Sequence, residues 1–175
     1  TTEIYTLSLH DALPILGATY NNKKIGNHGT AVCFSFHPVK NLAMPTGGLI
    51  SINHKNHKQF RKTLLARRWC GITDRIGSEY NVKELGWNYY MNEFSAVIGL
   101  AQLKKLDRLN NIRKNIAKFY DKHISVEHKI PFDKTCSYHL YWIRVNNRNR
   151  FRKELDDRGI ETGTHYRPID RKSVV

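Results

Sequence analysis

Lys40 is the residue whose type and setting most readily suggest chemistry. It closes the run Ser35-Phe36-His37-Pro38-Val39-Lys40, just beyond a mostly apolar segment and shortly before the glycine turn Pro45-Thr46-Gly47-Gly48. An amine with apolar neighbours is harder to keep protonated, and the free amine is a nucleophile toward a carbonyl or an aldehyde. Strand ends in α/β folds are also where ligands bind. Local sequence alone leaves a second reading open, a solvated lysine among many in a basic chain. The pair His54 and His57 has the spacing of a helical metal pair but lacks a third ligand, so it reads as a solvated helix start and no metal site is expected. Cys33, Cys70 and Cys136 are isolated, with no CxxC pair. That supports neither a disulfide framework nor structural zinc, and it fits a reducing, cytoplasmic setting.

The elements that must position Lys40 follow from pattern. Ala31 to Phe36, preceded by Gly29-Thr30, reads as a short buried strand, and Pro38 ends it because proline cannot donate to a ladder. Leu49-Ile50-Ser51-Ile52 is a second strand beyond the glycine turn. Residues 56–68 look helical, with Phe60, Leu64 and Leu65 as an apolar stripe. Residues 69–87 are loop-rich, with glycines at 71, 77 and 86. Asn92 is placed to cap the longest element, with Glu93 in its first turn. From Phe94 to Ile124 the apolar spacing predicts one long helix, or two with a bend, carrying Leu106, Leu109, Ile112, Ile116, Phe119 and Tyr120. Tyr138 to Val145 is a strand candidate. Asn149 to Arg158 is a short helix closed by Gly159, and Ile160 to Tyr166 is a candidate final strand. The class is α/β, with a small separate lobe from about Lys122.

Composition bounds the function. The chain has 175 residues, 40% of them hydrophobic, with 29 Lys and Arg against 15 Asp and Glu, for a net charge of +14. The apolar fraction is too high for a disordered chain, and no run of 18 apolar residues argues for a membrane span. The charge admits nucleic acid, an anionic surface or an anionic small substrate. Lys104, Lys105, Arg108, Arg113, Lys114, Lys118 and Lys122 cluster on the long helix, with Asp107 and Asp121 interrupting. Such a run is ordinarily a solvated face opposite an apolar stripe. A basic nucleic-acid-binding module remains the alternative, although no helix-turn-helix, zinc finger or RNP signature supports it.

The segment GNHGTAVCFSFHPVKNLAMPTGGLISI resembles the lysine segment of the DegT/DnrJ/EryC1/StrS family, pyridoxal-phosphate-dependent aminotransferases acting on nucleotide-linked keto sugars. Three further segments agree in order and spacing. Leu16 to Tyr20 is similar to the stretch after the family's pyridine-binding aspartate. Gly86 to Asn92, with Ala96 to Leu103, is similar to its asparagine loop and the helix that follows. Tyr138-His139-Leu140 and His165-Tyr166-Arg167-Pro168-Ile169 resemble its C-terminal lobe. The resemblance covers nearly all of residues 16–169.

It implies a fold-type I transferase, aspartate-aminotransferase-like. Residues 16–121 would be the C-terminal part of the large cofactor-binding domain, including the long interdomain helix, and residues 122–169 part of the small lobe. It implies that Lys40 condenses with the aldehyde of pyridoxal 5'-phosphate and moves the proton between substrate Cα and cofactor C4′. Ser35 would hydrogen-bond the cofactor phosphate, and Asn88 would reach the phosphate of the neighbouring subunit's cofactor, which makes the enzyme a homodimer with shared sites. His165 falls on the substrate-proximal strand. On residue type alone, Ser35 also reads as a core hydroxyl bonded to backbone, Asn88 as a loop asparagine capping backbone groups, and His37 as a histidine bonded beside a strand. Tyr90 stands where many family members carry arginine. The implied function is transfer of an amino group from glutamate to a nucleotide-linked keto sugar, in cell-surface polysaccharide or amino-sugar biosynthesis. Some relatives dehydrate sugars instead and replace the lysine with histidine, and Lys40 argues against that alternative.

The two ends read differently. His10 to Ile15 can be written CAC GAC GCT CTT CCG ATC, and the reverse complement encodes Asp170-Arg171-Lys172-Ser173-Val174-Val175. Residues 1–15 and 170–175 therefore fit one DNA segment in opposite orientations, resembling a sequencing adapter, and are expected not to be native. They hold three carboxylates and two cations, so the chain between them is one charge more basic. Asp11 lies six residues before Gly17, where the family has its pyridine-binding aspartate, but the coding symmetry assigns it to the adapter.

Overall fold

A computed structural model describes residues 16–164. Two short strands, β1 (Thr19–Tyr20) and β2 (Lys23–Lys24), pair as a tight hairpin whose turn places Asn21 and Asn22 at positive φ. β3 (Ala31–Ser35) and β4 (Gly48–Ile52) pair antiparallel, with Ala31 opposite Ile52 and Ser35 opposite Gly48. α1 (His57–Arg68) leads into a second hairpin, β5 (Ile72–Ile76) and β6 (Glu79–Val82). α2 (Glu93–Leu103) and α3 (Leu106–His123) follow, then β7 (His128–Lys129), β8 (Ile143–Arg144) and α4 (Arg148–Asp156). Each sheet among the described residues has two strands.

Local chemistry accounts for the element ends. The side chain of Asn92 accepts a hydrogen bond from Ser95 N at 2.8 Å, which satisfies one of the open donors of α2. The long helix breaks at Lys104–Lys105, so the bent alternative is the one observed. α3 ends where Lys129 Nζ donates to the carbonyl of Ile124 at 2.9 Å and to that of Asp121, placing a cation at the negative end of the helix. After α4, Gly159 adopts φ +73°. Ile160 N donates to Leu155 O and Gly159 N to Asp156 O, the paired bonds of a Schellman cap.

Several expectations are corrected. Residues 69–87 contain a hairpin rather than only loop. Gly77 and Ser78 form its two-residue connection, with Gly77 at φ +58°. Within Tyr138–Val145 only Ile143 and Arg144 form a strand, the two residues that pair with β7, and Tyr138 at φ +47° is not extended. Residues 160–164 are not strand, and the rest of that candidate lies outside the described residues. β3 is buried on one side only. Phe34 is buried while Cys33 is exposed, since a two-stranded sheet leaves a face open.

The core gathers Phe34, Phe36, Leu42, Met44 and Leu106, with Leu16, Ile25, Val32 and Met91 against it. The segment after Lys40 is thus folded inward and helps form the centre of the packing. α2 approaches it with its smallest residues, as Ser95 and Gly99 are its buried positions. On α3 the buried positions are Leu106, Asn110 and Ala117, while Ile112, Ile116, Phe119 and Tyr120 of the expected stripe are exposed.

Candidate active site

The connection between β3 and β4 carries Lys40. Phe36 N donates to Gly47 O at 3.0 Å and Met44 N to Phe36 O at 2.8 Å, so the loop closes back on the end of β3. Gly48 must lack a side chain, because a Cβ there would meet Phe34 O at 2.8 Å. Within this frame residues 37–40 form a turn, with Lys40 N donating to His37 O at 2.8 Å. Lys40 is partly buried, and burial lowers the pKa of its amine from the usual lysine value. Among the described residues no carboxylate pairs with it. Removal from water disfavours the charged form, which leaves more free amine at a given pH.

Ser35, at the end of β3, is bonded locally. Its Oγ accepts from His37 N at 3.3 Å, so the hydroxyl proton is left to donate elsewhere. His37 itself is exposed and accepts from Val39 N at 3.4 Å through Nδ1, stiffening the turn. Ser35, His37 and Lys40 therefore share one short turn.

Asn88 stands on another segment. It is exposed and forms an antiparallel bridge with Trp69, flanked by bonds from Trp87 N to Arg67 O at 2.7 Å and from Tyr89 N to Arg68 O at 2.8 Å. Among the described residues no hydrogen bond joins it to Ser35 or Lys40. Tyr90 packs on Trp69, with ring centroids 4.6 Å apart. His165 and Asp11 lie outside the described residues, as do residues 1–15 and 170–175. His54 Nδ1 accepts from Asn56 N at 3.1 Å, and its ring meets the edge of Phe60, so it serves the start of α1. On the basic helix, Arg113 turns inward to donate to His139 O at 3.4 Å.

Two residues escaped the reading of the sequence. Asn41 and Asn110 are both buried and bond to each other at 2.8 Å. The available signal was Asn110 itself, an amide four residues after Leu106 on the inward face of α3.

The mixed α/β chain thus carries, in the loop that follows β3, a partly buried lysine whose amine is lowered in basicity by that burial. The chain belongs to the DegT/DnrJ/EryC1/StrS aminotransferase family, whose model matches residues 5–175. It is 34% identical over 170 residues to the UDP-4-amino-4,6-dideoxy-N-acetyl-beta-L-altrosamine transaminase of Campylobacter jejuni, a match covering 91% of this chain and 44% of that protein. Among solved structures, Helicobacter pylori PseC, an aminotransferase involved in the biosynthesis of pseudoaminic acid, superposes with a TM-score of 0.80 at 30% identity. That match covers 90% of this chain and 44% of the other. The Streptococcus pneumoniae protein Spr1654, solved in a PLP-form, gives a TM-score of 0.79 at 29% identity, covering 88% of this chain and 42% of the other. The described residues therefore have the fold of part of a fold-type I transferase. The chain spans about half the length of the curated relatives it matches.

Proposed function

We propose that these residues act within a full-length enzyme that uses pyridoxal 5'-phosphate to move an amino group from glutamate to a keto group on a nucleotide-linked sugar, in the cytoplasm, for cell-surface polysaccharide or amino-sugar synthesis. Residues 16–121 serve as the C-terminal part of its large domain and residues 122–169 as part of its small lobe, while residues 1–15 and 170–175 are adapter-derived. The observation that carries the reading is the Lys40 amine, partly buried and lowered in pKa by that burial, at the turn after β3 in a chain of this family.

The donor set fits the cofactor. Its bound form supplies an aldehyde and an electron-withdrawing ring that spreads negative charge from the substrate carbon. Lys40 is the residue that would hold the cofactor through its aldehyde, and the same amine would hold and return the proton at the substrate carbon. A lowered pKa serves both tasks, since a protonated amine can neither attack nor accept. Ser35, its Oγ already accepting from the His37 amide, has a hydroxyl proton to give to a phosphate oxygen. The exposed Asn88 is free of the lysine turn and presents its amide to the phosphate in a second copy of the enzyme, so the full-length protein works as a homodimer with shared sites. By the family resemblance, His165 is the residue proposed to bind the substrate. The basic surface favours an anionic sugar nucleotide.

Borohydride reduction of the full-length enzyme with pyridoxal 5'-phosphate, followed by peptide mapping, tests the assignment. The expected result is cofactor fixed on Lys40 and lost in Lys40→Ala. Fixation to another lysine, or to none, overturns it.

A further inference from the structure

The residue after the lysine joins three distant parts of the chain. Asn41 is 5% exposed, and its Nδ2 donates to Asn110 Oδ1 on α3 at 2.8 Å and to Ser137 O at 2.9 Å. Asn110 Nδ2 passes the connection on to Leu16 O at 3.1 Å. Asn110 and Ser137 are 4% and 1% exposed, so water cannot replace these bonds. Asn41 Oδ1 is itself buried with no hydrogen-bond partner among the described residues, a cost that an apolar side chain of the same volume would not carry. Next to Ser137, Tyr138 is held at φ +47°, and its hydroxyl accepts from Asp133 N and donates to Pro131 O at 3.2 Å. Strain of this kind persists only where the surroundings over-determine it. The strap of residues 133–138 is thus a fixed anchor for Asn41 to hold.

We propose that Asn41 is a positioning residue for Lys40: its two buried amide bonds clamp the lysine turn between α3 and the Ser137 strap and set the depth at which the amine stands. The other hydrogen bonds of the segment, Lys40 N to His37 O, Met44 N to Phe36 O and Phe36 N to Gly47 O, close the loop on itself and on β3, and Leu42 and Met44 add apolar packing. Directional bonds from the adjacent residue fix its height and rotation. The inference rests on Lys40 being the reactive lysine proposed above, but its test needs no cofactor.

In the cofactor-free full-length protein, the pH profile of Lys40 acylation is compared by mass spectrometry with that of a short lysine peptide in the same solution. In the parent, Lys40 reacts with a midpoint below that of the peptide. In Asn41→Ala the Lys40 midpoint is expected to rise onto that of the peptide. The double variant Asn41→Leu/Asn110→Leu keeps the branched side-chain shape but removes the bonds, and the same rise is expected. An unchanged Lys40 midpoint in a folded variant overturns the proposal even if thermal stability falls, because Asn41 would then serve packing alone. Should neither variant give a cooperatively folded protein, the pair is a general stability element and the proposal also falls. Borohydride fixation at a different lysine would instead defeat the functional reading and leave the acylation result standing.

Discussion

Gly99 of α2 rests directly on Met44, four residues beyond Lys40: a Cβ at position 99 would lie 2.7 Å from Met44 Sδ and 2.9 Å from its Cε. Met44 is 4% exposed and packs with Phe34, Phe36, Leu42 and Leu106, so the thioether has little room to retreat. Gly99→Val is therefore expected to push α2 off the lysine loop and to destabilise the full-length protein by about 1–3 kcal/mol. Thermal or urea denaturation reads this, and an unchanged midpoint would show that the helix moves freely over the loop.

The depressed basicity of Lys40 also predicts a pH effect with a definite sign. Burial is its cause, and it penalises the protonated form in the folded state only. The unfolded chain then holds more protons between the folded pKa and the ordinary lysine value of 10.5. Stability contributed by this group accordingly rises with pH through that window, and the penalty is fully present below it. Lys40→Met removes the titrating group, so the variant's advantage over the parent should shrink as pH rises from the folded pKa toward the unfolded value. A pH-independent difference in unfolding free energy would contradict the assignment.

Ser35→Ala tests the phosphate contact separately from the covalent one. Loss of a hydrogen bond to a charged group costs about 1.5–3 kcal/mol, which corresponds to about a tenfold to hundredfold weaker hold on pyridoxal 5'-phosphate. Borohydride should still fix the cofactor to Lys40 at saturating concentration. Unaltered affinity, measured by titration of the visible absorbance, would leave Ser35 as a local partner of the His37 amide only.

The chain taken alone exposes large apolar side chains that a monomer rarely tolerates together. Phe94, Leu85 and Ile76 are 85%, 80% and 80% exposed, and Val97 and Leu100 lie on the same helix as Phe94. The two-stranded sheets add open edges. Purified by itself, the 175-residue chain should associate in a concentration-dependent way and bind a hydrophobic dye. A monodisperse monomer in sedimentation equilibrium, with cooperative unfolding, would contradict this.

The described residues contain no helix long and apolar enough to cross a membrane. The basic stretch of α3 divides between exposed cations, the half-buried Lys114 and Arg113, which is used internally, so charge was a weak guide to function in this sequence.

Short-range order was determined by the sequence itself. The strand before Lys40, the glycine turn after it, the Asn92 cap and the Gly159 stop all depend on residues within a few positions of one another, and each stands where pattern and turn chemistry put it. The Gly77-Ser78 hairpin was within reach by the same logic and was masked by the polar residues around it. What tertiary structure alone decided is which of these elements meet. Asn41 bonds to partners 69 and 96 residues away, Gly99 finds Met44, and the later part of the α3 stripe goes uncovered while Asn110 is buried. Periodicity marks a face as apolar without saying what covers it, and a hydrogen bond across such a separation depends on the packing of whole helices rather than on its neighbours in the chain.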